Sequence, residues 1–335
     1  EAQDINRAIR MALTSGSGPD IVYLDCGPGY MGVMANSGLL MPLDEAAEKY
    51  GWGEKLAGWG LEAATYNGTL YGIACEYEML CCFYNKAIFE QIGATVPTTY
   101  DEFLQVCQKA KDAGITAIVL DDMDQWPGFH YESLFMGAFG GPDMLQGIID
   151  KTLEGGFNQP ELAAGLDALA SLVKEGYTTP YPNAISHDDA LRDFYSGGGA
   201  MYFTGTWACD EMTANMGENV GLFILPSANP DIPTTPPVGV GSGMQVSAAT
   251  QHPDEVFDLL DYMYDGETGA KTWMERSATI TPADVDTSDM VIIPLFQQVL
   301  DIAENTDAYN KNLDVLMPQN VNDAAKNYMQ QLLDG

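Results

Sequence analysis

The stretch YNGTLYGIACEYEMLCCFYNK, from Tyr66 to Lys86, carries more structural instruction than any other part of the chain. Asn67-Gly68 is a strong hairpin-turn signal, because both residues tolerate positive φ, and Thr69-Leu70-Tyr71 resumes a β-type run. Glu76 and Glu78 then interrupt the apolar sequence. Alternation along a strand puts both acids on one side and Tyr77 on the other, while Met79 to Tyr84 continues as a nearly unbroken apolar run. Two readings of the acids stay open at this point. They lie solvated on an exposed edge, or they point into a cleft and bind a polar group.

The chain of 335 residues accommodates two domains, at roughly 100 to 200 residues each, with a substantial core in both. Its 14 Lys and Arg stand against 48 Asp and Glu, a formal charge of −34. That balance argues against nucleic acid and anionic membrane surfaces as partners. Spread over a surface, such an excess keeps a protein soluble and does not by itself predict a cationic ligand. No stretch reaches the about 18 consecutive apolar residues of a membrane span, and the opening EAQDINRAIRMAL is an amphipathic helix pattern without a signal-peptide core. The chain reads as trimmed at both ends, with any export signal or lipid-anchor cysteine expected upstream.

Cys26, Cys75, Cys81, Cys82, Cys107 and Cys209 form no CxxC pair and no zinc-type spacing with a histidine. Most lie in apolar runs, and adjacent Cys81 and Cys82 point to opposite strand faces. Buried free thiols are therefore expected over a disulfide framework, with one bridge still possible. His130, His187 and His252 are far apart and share no motif, so neither a metal site nor a cofactor is expected.

Residues Asp4 to Leu13 read as a helix, closed by Ser15-Gly16-Ser17-Gly18-Pro19, and Asp20 to Leu24 as a buried strand. The following loop, Asp25 to Tyr30, leaves the strand's carboxyl end, where open α/β sheets place ligand-contacting residues, making Asp25 and Tyr30 candidates. Met31 to Ser37 and Asp44 to Tyr50 read as helices. Thr99, with Glu102 three residues on, caps a helix over Tyr100 to Ala113. Ile115 to Leu120 is a strand running into Asp121-Asp122-Met123-Asp124-Gln125-Trp126-Pro127-Gly128. Phe129 to Glu175 is helical with Gly and Pro breaks. Ser186 caps a helix from His187 to Tyr195, and the strand Ala200 to Thr204 meets Gly205-Thr206-Trp207. Val238 to Met244 is glycine-dotted and a hinge candidate, without the GxxxxGK[ST] pattern of a phosphate-binding loop. Strand and helix alternate throughout, which predicts an α/β fold with a mostly parallel sheet.

Three expected strand-end loops carry related chemistry: Asp25 with Tyr30; Asp122, Asp124 and Gln125 with Trp126 and nearby His130; and Trp207. Glu76, Tyr77 and Glu78 make a fourth group. Carboxylates and amides accept from vicinal hydroxyls while an aromatic face covers the C–H side of a pyranose, so such a lining suits a neutral, hydroxyl-rich ligand. Each piece also has an ordinary structural reading: Trp126 and Trp207 as core, Trp52, Trp59 and Trp273 as packing, the acids as loop composition, His130 as a satisfied histidine.

The ordered set Ser17-Gly18-Pro19-Asp20-Ile21-Val22, Gly38-Leu39-Leu40-Met41-Pro42-Leu43-Asp44, Phe83-Tyr84-Asn85-Lys86, Gly199-Ala200-Met201 with Gly205-Thr206-Trp207, and His252-Pro253-Asp254-Glu255 resembles the family 1 extracellular solute-binding proteins. These serve ATP-driven sugar importers and include maltose-binding relatives. The resemblance runs over nearly the whole chain, with the family's first strand and last helices unmatched. It implies an α/β, two-lobed periplasmic-binding-protein-like clamp whose discontinuous lobes are joined by crossing hinge strands. One lobe would hold residues 1 to 77 with 242 to 281, and the other 78 to 241 with 282 to 335. It also implies ligand positions at Trp207, at Glu76 and Glu78, in the loop after Leu24, at the Trp126-Pro127-Gly128 segment, and at Gly241 and Ser242 in the second crossing.

The expected function is non-catalytic capture of a mono- or oligosaccharide and its delivery to the transmembrane permease of an ABC importer. A monomer is expected, extracellular and tethered by an upstream lipid anchor, or periplasmic. A glycoside hydrolase using two of Glu76, Glu78, Asp122 and Asp124 is the rival from another class. A polyamine-binding clamp of the same fold is the second.

Overall fold

The structure, a computed structural model, describes residues 2–306 and 308–334. In chain order its strands are β1 (Ile21–Asp25), β2 (Thr65–Tyr66), β3 (Thr69–Leu70), β4 (Gly72–Ala74), β5 (Glu78–Asn85), β6 (Thr116–Val119), β7 (Gly199–Gly205), β8 (Val220–Phe223), β9 (Pro237–Gly239), β10 (Ser242–Val246) and β11 (Asn310–Lys311). They fall in two compact units. The first comprises Glu1–Glu78, Gly239–Ile292 and Val315–Asn322, and the second Met79–Val238, Ile293–Asp314 and Asp323–Gly335.

The opening stretch folds as its residues dictate. Asn67 and Gly68 take φ of 51° and 81°, so a two-residue turn of the type that matches strand twist joins β2 to β3. In the first unit, β10 lies between β1 and β4 and is antiparallel to both, with Asp25 opposite Ser242 and Ala74 opposite Gly243. This corrects the expectation of a mostly parallel sheet. Strand–helix alternation reports that β1 and β4 run the same way. It cannot show that a strand from far along the chain inserts between them in the opposite sense. Around this sheet Val22, Leu24, Ile73 and Val246 join Trp52, Leu43 and Leu260 in one apolar core. Residues 282–292 belong to this unit, tied by the Ala57 N–H donating to Pro282 O at 2.7 Å and by a bridge from Leu56 to Ala283.

The second unit is built on a mixed sheet ordered β11-β9-β5-β7-β6, with β8 also on β5. β5 is antiparallel to β7 and β8, whereas β6 and β7 are parallel. All of β5 except Tyr84 is buried. The helix Tyr100–Asp112 starts where expected: Thr99 Oγ1 accepts from Glu102 N–H at 3.2 Å. The Glu102 carboxylate turns to Thr98 instead of the cap residue, accepting from its N–H and its hydroxyl at 2.8 Å. The helix Pro160–Lys174 buries Leu162, Leu166, Leu169 and Leu172, and each fully buried leucine contributes about 2 kcal/mol of transfer free energy. All six cysteines are free and buried. The strand β8 and the helix Pro294–Glu304 were not anticipated.

Candidate functional site

In the first unit the acids of the opening stretch are buried, each 9% exposed, which overturns the solvated-edge reading. Glu76 follows β4, and its carboxyl accepts from the Thr279 hydroxyl at 2.5 Å and the Tyr23 hydroxyl at 3.4 Å. Burial raises its pKa above the usual carboxylate value, and the two hydroxyl donors oppose the rise. Tyr23 sits between buried Val22 and Leu24 on β1, and its surface is 52% exposed. Burial of its hydroxyl end, then the charge of Glu76, push the phenol up.

Glu78 opens β5 beside Gly241, where an added Cβ would lie 2.5 Å from Glu78 Oε1. A methyl there would have to displace the Glu78 carboxylate. The neighbouring Ser242 hydroxyl donates to Asp25 Oδ1 at 2.7 Å, and Cys26 N–H donates to Gly241 O at 2.8 Å. Tyr77 is pinned by its N–H to Ile280 O at 2.8 Å, with its ring 5.3 Å from that of Trp59. Tyr30 occupies the position before the helix Met31–Asn36, and its carbonyl accepts from Val33 N–H at 3.0 Å. Glu76, Glu78, Asp25, Tyr77, Gly241 and Ser242 thus come from three segments onto one end of the β1-β10-β4 sheet.

In the second unit the aromatic candidates converge. Trp126 begins a long helix and His130 follows one turn later on the same face, their ring centroids 4.9 Å apart. Trp207 lies 6.1 Å from Trp126 and 5.4 Å from His130. Its ring folds over the backbone of Gly205, where a Cβ would come within 1.6 Å of it. Both tryptophans keep part of their surface exposed. His187, the first residue of the helix His187–Tyr195, completes the group at 4.4 Å from Trp126.

The acids of the 121–124 loop divide by role. Asp122 is fully buried and accepts from Gly128 N–H at 2.7 Å and Gln330 Nε2 at 2.8 Å. Burial pushes its pKa up to about 7 despite those donors. It holds the loop against the start of the Trp126 helix. Asp124 accepts the backbone N–H of His187 at 3.0 Å, and Gln125 takes φ of 67° just ahead of Trp126. Asp121, also buried, accepts from the Tyr202 hydroxyl at 2.9 Å. His130 is 4% exposed, with Nε2 3.6 Å from Asp314 Oδ2. Two residues further along that helix, Glu132 is raised to about 7 by burial and then by Asp314.

Tyr23, Thr279, Trp59, His187 and Tyr202 stand beside these groups without being ligand candidates from the sequence. Alternation in the strand Ile21–Asp25 did signal Tyr23, an aromatic facing away from two core residues. Thr279 and Tyr202 gave no local signal, being brought in by pairing between distant segments. Among the described residues, no three acid, histidine or cysteine side chains gather in a way that could hold a metal ion. The arrangement offers hydrogen-bond acceptors and hydroxyls in one unit and partly exposed rings in the other.

Residues 1–270 match the bacterial extracellular solute-binding protein family, and the chain belongs to that family of binding proteins. An uncharacterized ABC transporter extracellular-binding protein of Pyrococcus horikoshii is 25% identical over 272 residues, covering 78% of this chain and 59% of that protein. The multiple sugar-binding protein of Streptococcus mutans is 26% identical over 211 residues, 59% of this chain and 48% of that one. The chain spans 28% to 59% of the lengths of the curated relatives it matches. The solved structure of a chitin oligosaccharide binding protein superposes with a TM-score of 0.86 at 23% identity, over 99% of this chain and 83% of that one. The fold is therefore the α/β, two-lobed fold of solute-binding proteins. No helix of the described residues is long and apolar enough to cross a membrane.

Proposed function

We propose that the chain captures a mono- or oligosaccharide and delivers it to the permease subunits of an ATP-driven importer. The observation that carries this reading is the partly exposed pair Trp126 and Trp207, 6.1 Å apart and backed by two histidines. Two aromatic faces set at an angle suit the C–H surfaces of a sugar. Relatives named for binding multiple sugars and chitin oligosaccharides agree with it. Trp207, Trp126, Glu76, Tyr77, Glu78, Asp25, Tyr30, Asp124, Gln125, Gly241 and Ser242 are the proposed ligand residues, with Asp122 and His130 supporting the loop and the rings.

The two units act as lobes of a clamp in this reading, with the segments around Glu78 and Gly239 as hinge strands. A useful importer component would bind with a dissociation constant of about 1 μM, which corresponds to roughly −8 kcal/mol. The protein acts as a monomer outside the cytoplasmic membrane, lipid-tethered or periplasmic, and performs no catalysis. A hydrolase would need two carboxyls free to serve as acid and base, and Asp122 is already engaged by Gly128 and Gln330.

A thermal-shift screen against a glycan panel tests the reading, since a ligand of the folded state raises the unfolding midpoint by mass action. At least one saccharide raises the midpoint, and incubation with it releases no new reducing ends. A panel without a single shift contradicts sugar capture, and new reducing ends establish the hydrolase.

A further inference from the structure

The contact between His187 and Tyr202 fixes more than packing. Tyr202 lies on β7 with its hydroxyl between Asp121 Oδ1 at 2.9 Å and His187 Nδ1 at 2.8 Å. A phenol has one proton to give, and it goes to Asp121. Tyr202 can then meet Nδ1 only as an acceptor, so Nδ1 carries the imidazole proton. Asp121 Oδ2, fully buried and without a hydrogen-bond partner, lies 3.5 Å from the same Nδ1 and favours the same tautomer. Burial and the neighbouring Asp121 raise the Tyr202 pKa well above its usual value, which keeps the phenol protonated.

The other ring nitrogen has a different outlook. The ring's polar contacts to Tyr202 and Asp121 both run through Nδ1, and the side chain retains 14% of its exposure. The ring is 4.4 Å from Trp126, and the His187 backbone is held by Asp124 and by the helix capped at Ser186. Resting on the saccharide reading, we propose that His187 is a further ligand residue, locked by Tyr202 as its Nδ1–H tautomer so that Nε2 accepts a hydrogen bond from a sugar hydroxyl beside Trp126. Tyr202 and Asp121 are positioning residues, acting on the ligand only through that ring. The arrangement makes the site select for a donor at this point. A sugar whose hydroxyl there is replaced by hydrogen leaves Nε2 unpaired and loses affinity.

Two measurements test this. Nitrogen-15 NMR of the imidazole in the unliganded wild-type protein shows a protonated Nδ1 and a lone pair on Nε2; an Nε2–H tautomer overturns the proposal. Calorimetric titration with chitotriose, maltotriose and xylotriose then compares His187→Asn and His187→Gln. Asparagine reaches only as far as Nδ1, whereas glutamine places an amide near the position of Nε2. The Asn variant weakens binding by about tenfold and the Gln variant restores most of it, the scale of one hydrogen bond to a neutral group. Far-UV circular dichroism verifies that both variants fold. Equal affinity of wild-type protein and His187→Asn overturns the proposal. Failure of all three sugars with wild-type protein, together with a glycan panel that gives no shift, overturns the saccharide reading and this contact together, and the Nδ1–H signal separates that failure from a wrong tautomer.

Discussion

The Glu76 cluster of the first unit and the Trp207 cluster of the second are assembled by different means. Around Glu76 the partners are hydroxyls from Tyr23 and Thr279, 53 and 203 residues away in sequence, and each polar contact satisfies a buried carboxyl. Around Trp207 the contacts are between rings, and the position is set by what is missing: the side chain of Gly205. One region is held by hydrogen bonds that sharply penalise loss of a partner. The other is held by shape. Buried acids occur in both units, but Glu76 has two hydroxyl donors, whereas Glu132 has an unpartnered Oε2 and the like charge of Asp314.

That contrast is sharpened most by Glu132→Gln. The Glu132 carboxyl is raised to about 7 by burial and Asp314, above the roughly 4.3 of an exposed glutamate. The folded state therefore holds a proton that the unfolded state has released, and stability contributed below the unfolded value is lost as pH rises through the folded one. Urea unfolding at pH 5 and pH 8 should show wild-type protein losing up to about 3 kcal/mol more than Glu132→Gln. Equal losses would remove the buried-acid account of the second unit.

Gly205→Ala should come next in size. The added methyl has to displace the Trp207 ring while the aromatic residue itself is kept, so calorimetry should find sugar affinity lowered about tenfold. Unchanged affinity would mean that the ring's seat on Gly205 is irrelevant to binding. In the first unit, Thr279→Val removes a donor to Glu76, and a carboxyl titration followed by carbon-13 NMR should find the Glu76 pKa higher than in wild-type protein. A lower or unmoved value breaks the hydroxyl-held picture. The smallest effect concerns salt. Affinity for a neutral sugar should stay level between low and high ionic strength, whereas a polyamine held by the same acids would bind much more weakly in salt.

Local chemistry was legible in the sequence. The turn at Asn67-Gly68, the cap at Thr99 and the helix from His187 follow from neighbouring residues, and so they fall where the residues place them. The pairing sense of β10 was not legible, because it comes from a segment more than 150 residues after β4 and alternation says nothing about insertion. The acids of the opening stretch showed their common strand side but not their burial, which depends on Tyr23 and Thr279 arriving from elsewhere. Trp126 and Trp207 announced themselves as aromatics at strand ends, while His187 was readable only as the start of a helix. Its link to Tyr202 and Asp121 exists only once β6, β7 and that helix are packed.

The central claim is that a saccharide binds on the ring face formed around Trp207. Calorimetric titration of wild-type protein and Trp207→Ala with a sugar that shifts the wild-type midpoint tests it most directly. The account predicts at least about tenfold weaker binding in the variant, about 1.4 kcal/mol. An equal dissociation constant for the two proteins would contradict it.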